Sequence, residues 1–153
     1  HELPAACLDT TPSHEINKVI GKLIKEVDPH EIYVPFAFDL HQDHGAIAYG
    51  SSVAARPYQL SARNIRRVLA YETLSETHLA WPYLAPAFQP NVFVDISPHI
   101  DRKLDAMRAY SSQLQPDNQP RSLAALRALA IFRGTHIGVE AAEAFVLLGE
   151  YQR

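Results

Sequence analysis

The chain has 153 residues, of which 47% are hydrophobic and 20% charged, with a formal net charge of −3. That composition belongs to one soluble α/β-sized domain, residues 1–153, and excludes a disordered tract. It gives no basic surface for nucleic acid, and no stretch reaches the ~20 apolar residues of a membrane span.

Cys7 is the only cysteine, so a disulfide framework and a thiolate-rich zinc site are both excluded, and a reducing, cytoplasmic setting is expected. Cys7 has no base partner in view and reads as inert. Residues 3–9 show no period. Thr11-Pro12 then reads as an N-cap with proline at the first helical position, and Glu15 falls in the first turn. Ile16, Val19, Ile20, Leu23, Ile24 and Val27 form one apolar stripe, and Asp28-Pro29 ends that helix. Glu31 to Phe36 is a short β-rich run without polar alternation, as in a strand buried on both faces.

Asp39-Leu40-His41-Gln42-Asp43-His44 follows at the point where that strand would end. In open α/β sheets ligands bind outside the carboxyl ends of the strands, and His and Asp serve as metal ligands and proton carriers. His44 is the candidate metal ligand or general acid/base, with Asp43 and His41 polarising or orienting it. The plainer reading is a polar loop that merely caps the next helix. That helix, residues 45–55, is rich in small side chains and ends at Arg56-Pro57.

Residues 65–72 form the second expected strand. Residues 73–90, with Trp81, Tyr83, Phe88 and several prolines, form a long aromatic excursion, and segments of that length are commonly lids or binding loops. A third strand covers 91–96. Ser97-Pro98 repeats the capping pattern before a helix carrying Ile100, Leu104 and Met107, and Ser122 opens an alanine- and leucine-rich helix to about residue 132. Ala144 to Leu148 reads as a last strand or a packed terminal helix. Among the other histidines, His14, His30 and His99 are expected in solvent, His78 reaches a site only if the aromatic segment folds over it, and His136 lies between Gly134 and Gly138. Glu72 closes a strand.

Several of these segments also occur in a familiar order: Val34-Pro35, Asp39-x-His41-x-Asp43-His44, Ala55-Arg56-Pro57, Tyr71-Glu72-Thr73 and Pro90 to Ile96. Lys103, Tyr110-Ser111-Ser112-Gln113, Arg133-Gly134, Gly138 and Ala142-Glu143-Ala144-Phe145 complete it. Together they resemble the PIG-L/LmbE family of zinc-dependent N-acetyl-sugar deacetylases. The resemblance implies a Rossmann-like fold, a mainly parallel sheet flanked by helices, and hydrolysis of the N-acetyl group of an N-acetylglucosamine-type sugar or glycoconjugate. It also implies zinc held in part by His44, an oxyanion stabilised by His41, Asp43 hydrogen-bonded to a histidine, and His136 as a late acid. Arg56 and Trp81 are the expected sugar contacts, since aromatic faces suit sugar rings.

The family's opening His-Pro-Asp-Asp-Glu motif is absent, and His1-Glu2-Leu3 is not a version of it. The chain therefore resembles the C-terminal portion of a deacetylase domain, with the N-terminal strand or strands of the fold missing. The expected partner is a complementing N-terminal segment or a second copy in a homo-oligomer. The alternative function is a non-catalytic carbohydrate-binding or assembly module derived from the same fold.

Overall fold

A computed structural model of the chain describes residues 3–153; His1 and Glu2, part of the segment compared with the missing motif, lie outside it. The architecture is mixed α/β: an open four-stranded sheet with strand order β1-β2-β4-β3, flanked by helices. The chain falls into two compact units, one running to Gln89 and completed by Val146–Arg153, the other Pro90–Phe145.

The first unit opens with α1 (Ser13–Val27), β1 (Glu31–Pro35), α2 (Gln42–Ala54) and β2 (Arg67–Tyr71). Thr11 does not cap α1: its hydroxyl donates to the Cys7 carbonyl at 3.1 Å, and Pro12 stands at the N-cap without a side-chain bond. The expected stripe is narrower than six residues. Ile16 and Ile24 are buried, whereas Leu23 and Val27 are exposed. Asp28, in the left-handed region at φ 49°, then turns the chain out of the helix, its N–H returning to the Ile24 carbonyl at 2.8 Å.

β1 and β2 are parallel, with Tyr33 opposite Leu69 and Pro35 opposite Tyr71. The double-sided burial expected of β1 is corrected: it stands at the end of the strand order, and Tyr33 is exposed with its hydroxyl donating to Glu31 Oε2 at 2.7 Å. Helix α2 packs tightly on α1 because its contact face is nearly bare. A Cβ on Gly50 would lie 2.9 Å from Ile20 Cδ1 and 3.0 Å from Ile16 Cγ2. Beneath these helices lie Ile24, Ala54, Ala55, Ala62, Ile65 and Val68, and nearer the strand exits Val34, Phe36 and Ala70 form a second cluster with Phe88. Each fully buried aliphatic side chain of this kind contributes about 1.5–3 kcal/mol.

In the second unit, β3 (Val92–Asp95) pairs antiparallel with the start of β4 (Ala142–Glu150), so the sheet is mixed rather than mainly parallel. The last apolar segment is a strand, as one of its two readings held. Between them lie α3 (Ile100–Arg108) and α4 (Leu123–Thr135). Ser122 caps α4 by accepting from the Ala125 N–H at 3.0 Å. Ser97 caps nothing with its side chain; a short 3-10 turn, Ser97–His99, precedes α3, and Asp95 accepts from the Ser97 N–H at 2.8 Å. Ile96, Ile100, Ala130 and Ala141 make this unit's core. Among the described residues, no helix is long and apolar enough to cross a membrane.

Candidate functional site

At the carboxyl end of β1 the Phe36 N–H still donates across to the Tyr71 carbonyl at 3.1 Å, and then the chain turns, the Asp39 N–H reaching back to the Phe36 carbonyl at 3.2 Å. Helix α2 begins at Gln42, three residues earlier than the sequence suggested, so the motif supplies both the cap and the first turn. His41 is that cap. Its Nδ1 accepts from the Asp43 N–H at 3.3 Å, which assigns the ring proton of neutral His41 to Nε2. The plainer expectation, helix capping, thus holds for His41.

His44, one turn on, points its Nδ1 at Asp39 Oδ2, 2.6 Å away. The Asp39 side chain is 0% exposed and that of His44 is 22% exposed. A carboxylate can only accept, so Nδ1 carries the proton and Nε2 of the neutral ring keeps the lone pair. The other carboxylate oxygen, Asp39 Oδ1, is buried without a hydrogen-bond partner. An uncompensated buried oxygen is costly, and such costs concentrate where function retains them. Asp39 has no assigned role in the site expected from the sequence, although it belongs to the same motif. The only sequence signal was its place in the same six-residue stretch, since five residues across a turn is not a helical spacing.

Asp43 was expected on a histidine, and the structure corrects this. Its carboxylate accepts from the Ala6 N–H at 2.7 Å and the Leu8 N–H at 2.9 Å, tying the lead-in segment to the first turn of α2. Tyr71, closing β2 opposite Pro35, has its phenol pushed above the ordinary tyrosine range, chiefly by burial and then by the negative charge of Asp39.

The rings of His41 and His44 are stacked, 5.1 Å between centroids and 16° from parallel. Lone pairs in the planes of two stacked rings do not converge on one ion. Among the described residues no group of three or more His, Cys, Asp or Glu side chains is placed to hold a metal. A catalytic zinc commonly takes three protein ligands, so these residues do not fit a complete centre; they offer one oriented imidazole.

Arg56 and Trp81 are not part of this cluster. Arg56 lies two residues beyond the far end of α2, whose last residue, Ala54, is about 15 Å along the axis from His44 at 1.5 Å per residue; there Arg56 donates to the Tyr58 hydroxyl at 3.3 Å. It lines a cleft of about 150 Å³ with Ser51, Ser52 and Tyr151. Trp81 is 74% exposed in the aromatic excursion, which is anchored near the strand exits by an edge-to-face contact of Phe88 on Phe36 at 5.2 Å. His136 belongs to the second unit. It caps α4, its Nδ1 lies 3.1 Å from the Phe132 carbonyl, and its ring stacks on Phe93 at 5.0 Å.

No protein-family model matches the sequence, and no curated protein does. Solved structures do match the fold, two of them over nearly the whole of this chain. One is the conserved protein TT1542 from Thermus thermophilus, at TM-score 0.72 and 24% identity, covering 99% of this chain and 65% of that one. The other is N,N'-diacetylchitobiose deacetylase from Pyrococcus horikoshii, at TM-score 0.65 and 23% identity, covering 90% of this chain and 52% of that one. This chain has their fold. It spans about two-thirds and about half of their respective lengths. At these identities the likeness fixes architecture alone, and chemistry resides in the residues of the site.

Proposed function

We propose that this chain carries the catalytic fold of a hydrolase that removes the N-acetyl group from an N-acetylglucosamine-type sugar. One observation carries the reading: the 2.6 Å bond between His44 Nδ1 and the buried Asp39. A carboxylate behind an imidazole is the arrangement that fixes the tautomer and orientation of a metal-binding histidine, and here it stands at a strand exit of an α/β sheet. The fold shared with a chitobiose deacetylase supports the substrate class.

Zinc is the metal proposed, and His44 Nε2 the ligand this chain supplies. When bound, such an ion would activate water and polarise the acetyl carbonyl. Its other ligands would come from beyond the described residues, from a complementing segment or a second copy. Within the chain itself, His41 directs an Nε2–H donor that suits a developing oxyanion, and the exposed face of Trp81 suits a sugar ring.

A second reading, a carbohydrate-binding or assembly module without catalysis, is favoured by the single oriented imidazole where a working zinc centre takes three ligands. Metal content of the purified protein and acetate release from N,N'-diacetylchitobiose separate the two. Near-stoichiometric zinc and acetate release, both lost in His44→Ala, support the hydrolase. Saccharide binding with neither zinc nor turnover supports the module.

A further inference from the structure

We propose that Glu72 and His78 form a second histidine–carboxylate pair at the same strand exits, with His78 as the group that gives the departing amine its proton. The inference rests on the deacetylase reading and adds a residue to it.

The pair is built locally. β2 ends at Tyr71, so Glu72 is the first residue past the strand. The chain then makes a single tight turn: the Thr77 N–H donates to the Thr73 carbonyl at 2.7 Å, while the Thr77 hydroxyl accepts from the Thr73 N–H at 2.7 Å. That turn carries His78 back against Glu72, with Nε2 2.8 Å from Oε2. The Glu72 side chain is 6% exposed and that of His78 is 37% exposed. A nearly buried carboxylate thus holds an imidazole whose edge meets solvent. With Glu72 ionised, Nε2 carries a proton, which leaves Nδ1 as the atom that exchanges one.

Three observations place this pair beside the first. β1 and β2 are adjacent and parallel with Pro35 opposite Tyr71, so Asp39 and Glu72 leave neighbouring strands at the same end. The charge of Asp39 is felt by the phenol of Tyr71, the residue next to Glu72. Phe88, at the end of the segment that carries His78, packs on Phe36, three residues before Asp39.

Amide hydrolysis needs a proton donor because an amine anion is too poor a leaving group to depart unassisted. Water oxygen bonds to the acetyl carbon, and the C–N bond breaks with its electron pair left on nitrogen. The proton on His78 Nδ1 moves to that nitrogen. Acetate and the free amino sugar leave, both protons of the attacking water pass to solvent, and the neutral imidazole regains one from solvent.

The test compares two acetyl compounds on the full chain. N,N'-diacetylchitobiose has a leaving amine that must be protonated, and 4-nitrophenyl acetate has a phenolate that leaves without help. His78→Gln keeps an N–H where Nε2 stood, so the contact with Glu72 survives while proton exchange is lost. Its acetate release from the sugar should fall about 100-fold or more, its ester hydrolysis should stay near that of the parent, and added imidazole should restore part of the amide activity. Glu72→Gln should show the same split in weaker form. A variant as fast as the parent on the sugar, or equally slow on both compounds, overturns the role of His78 and leaves the deacetylase reading intact. A parent chain that hydrolyses the ester but never the sugar overturns that reading, and this inference with it.

Discussion

Asp39 and His44 are joined by a 2.6 Å bond between two side chains that leave the chain on opposite sides of a helix start, and Asp39 is fully enclosed while doing so. Its second oxygen has no partner. An enclosed carboxylate with one oxygen unsatisfied costs stability, while behind an imidazole it raises ligand basicity. Asp39→Asn removes the charge but keeps an oxygen for the His44 N–H. The urea midpoint should stay level or rise, by up to about 1 kcal/mol in stability. With zinc on His44 as proposed, affinity measured against a chelating dye should fall by about 10–100-fold. A variant that loses stability and keeps its zinc affinity would count against the role given to Asp39.

The carboxylate of Asp43 holds two N–H groups of the lead-in segment, those of Ala6 and Leu8. Hydrogen bonds to a charged acceptor are each worth about 1.5–3 kcal/mol when shielded, and the Ala6 bond is exposed. Asp43→Ala should therefore destabilise the fold by about 2 kcal/mol, part of it through the lost negative charge in the first turn of α2. Hydrogen exchange at the Ala6 and Leu8 amides should accelerate, while the His41 cap, which uses the backbone of residue 43, remains.

Tyr71 links the site to pH. Its phenol is held above the ordinary value of 10.0, first by burial and second by Asp39. The fold favours the protonated form, so this contribution is fully present below the unfolded pKa and is lost as pH rises through the folded one. Urea unfolding between pH 8 and pH 11.5 should show stability falling above about pH 10, and Tyr71→Phe should flatten that fall. Asp39→Asn should move the tyrosine titration, followed by phenolate absorbance, back toward the ordinary range.

Two glycines give a contrast in packing. A Cβ at Gly134 would lie 2.5 Å from the Val139 carbonyl oxygen and 3.0 Å from the Ala141 nitrogen, both backbone atoms that cannot step aside. At Gly50 the nearest obstacle is the movable Cδ1 of Ile20. Gly134→Ala should cost about 3 kcal/mol or more and Gly50→Ala about 1–2 kcal/mol, compared by thermal melts under one condition.

The residue pattern alone was enough for α1, α2, the strands β1, β2 and β3 and the Ser122 cap, because each is written in local spacing: period 3.6, a β-rich run, or a hydroxyl before a helix. It also marked residues 39–44 as the place where polar chemistry collects. Which carboxylate meets which histidine was decided by tertiary structure. Asp43 is nearer His44 in sequence, yet its side chain is drawn to the amides of Ala6 and Leu8, contacts 35 and more residues away that no spacing reveals. Asp39 takes the imidazole because the turn after β1 brings it back across the start of α2. The antiparallel pairing of β3 with β4, the open side of β1, the distance of Arg56 from His44 and the return of His78 onto Glu72 belong to the same class. Each depends on where the backbone goes after a strand ends, and long-range packing fixes that path.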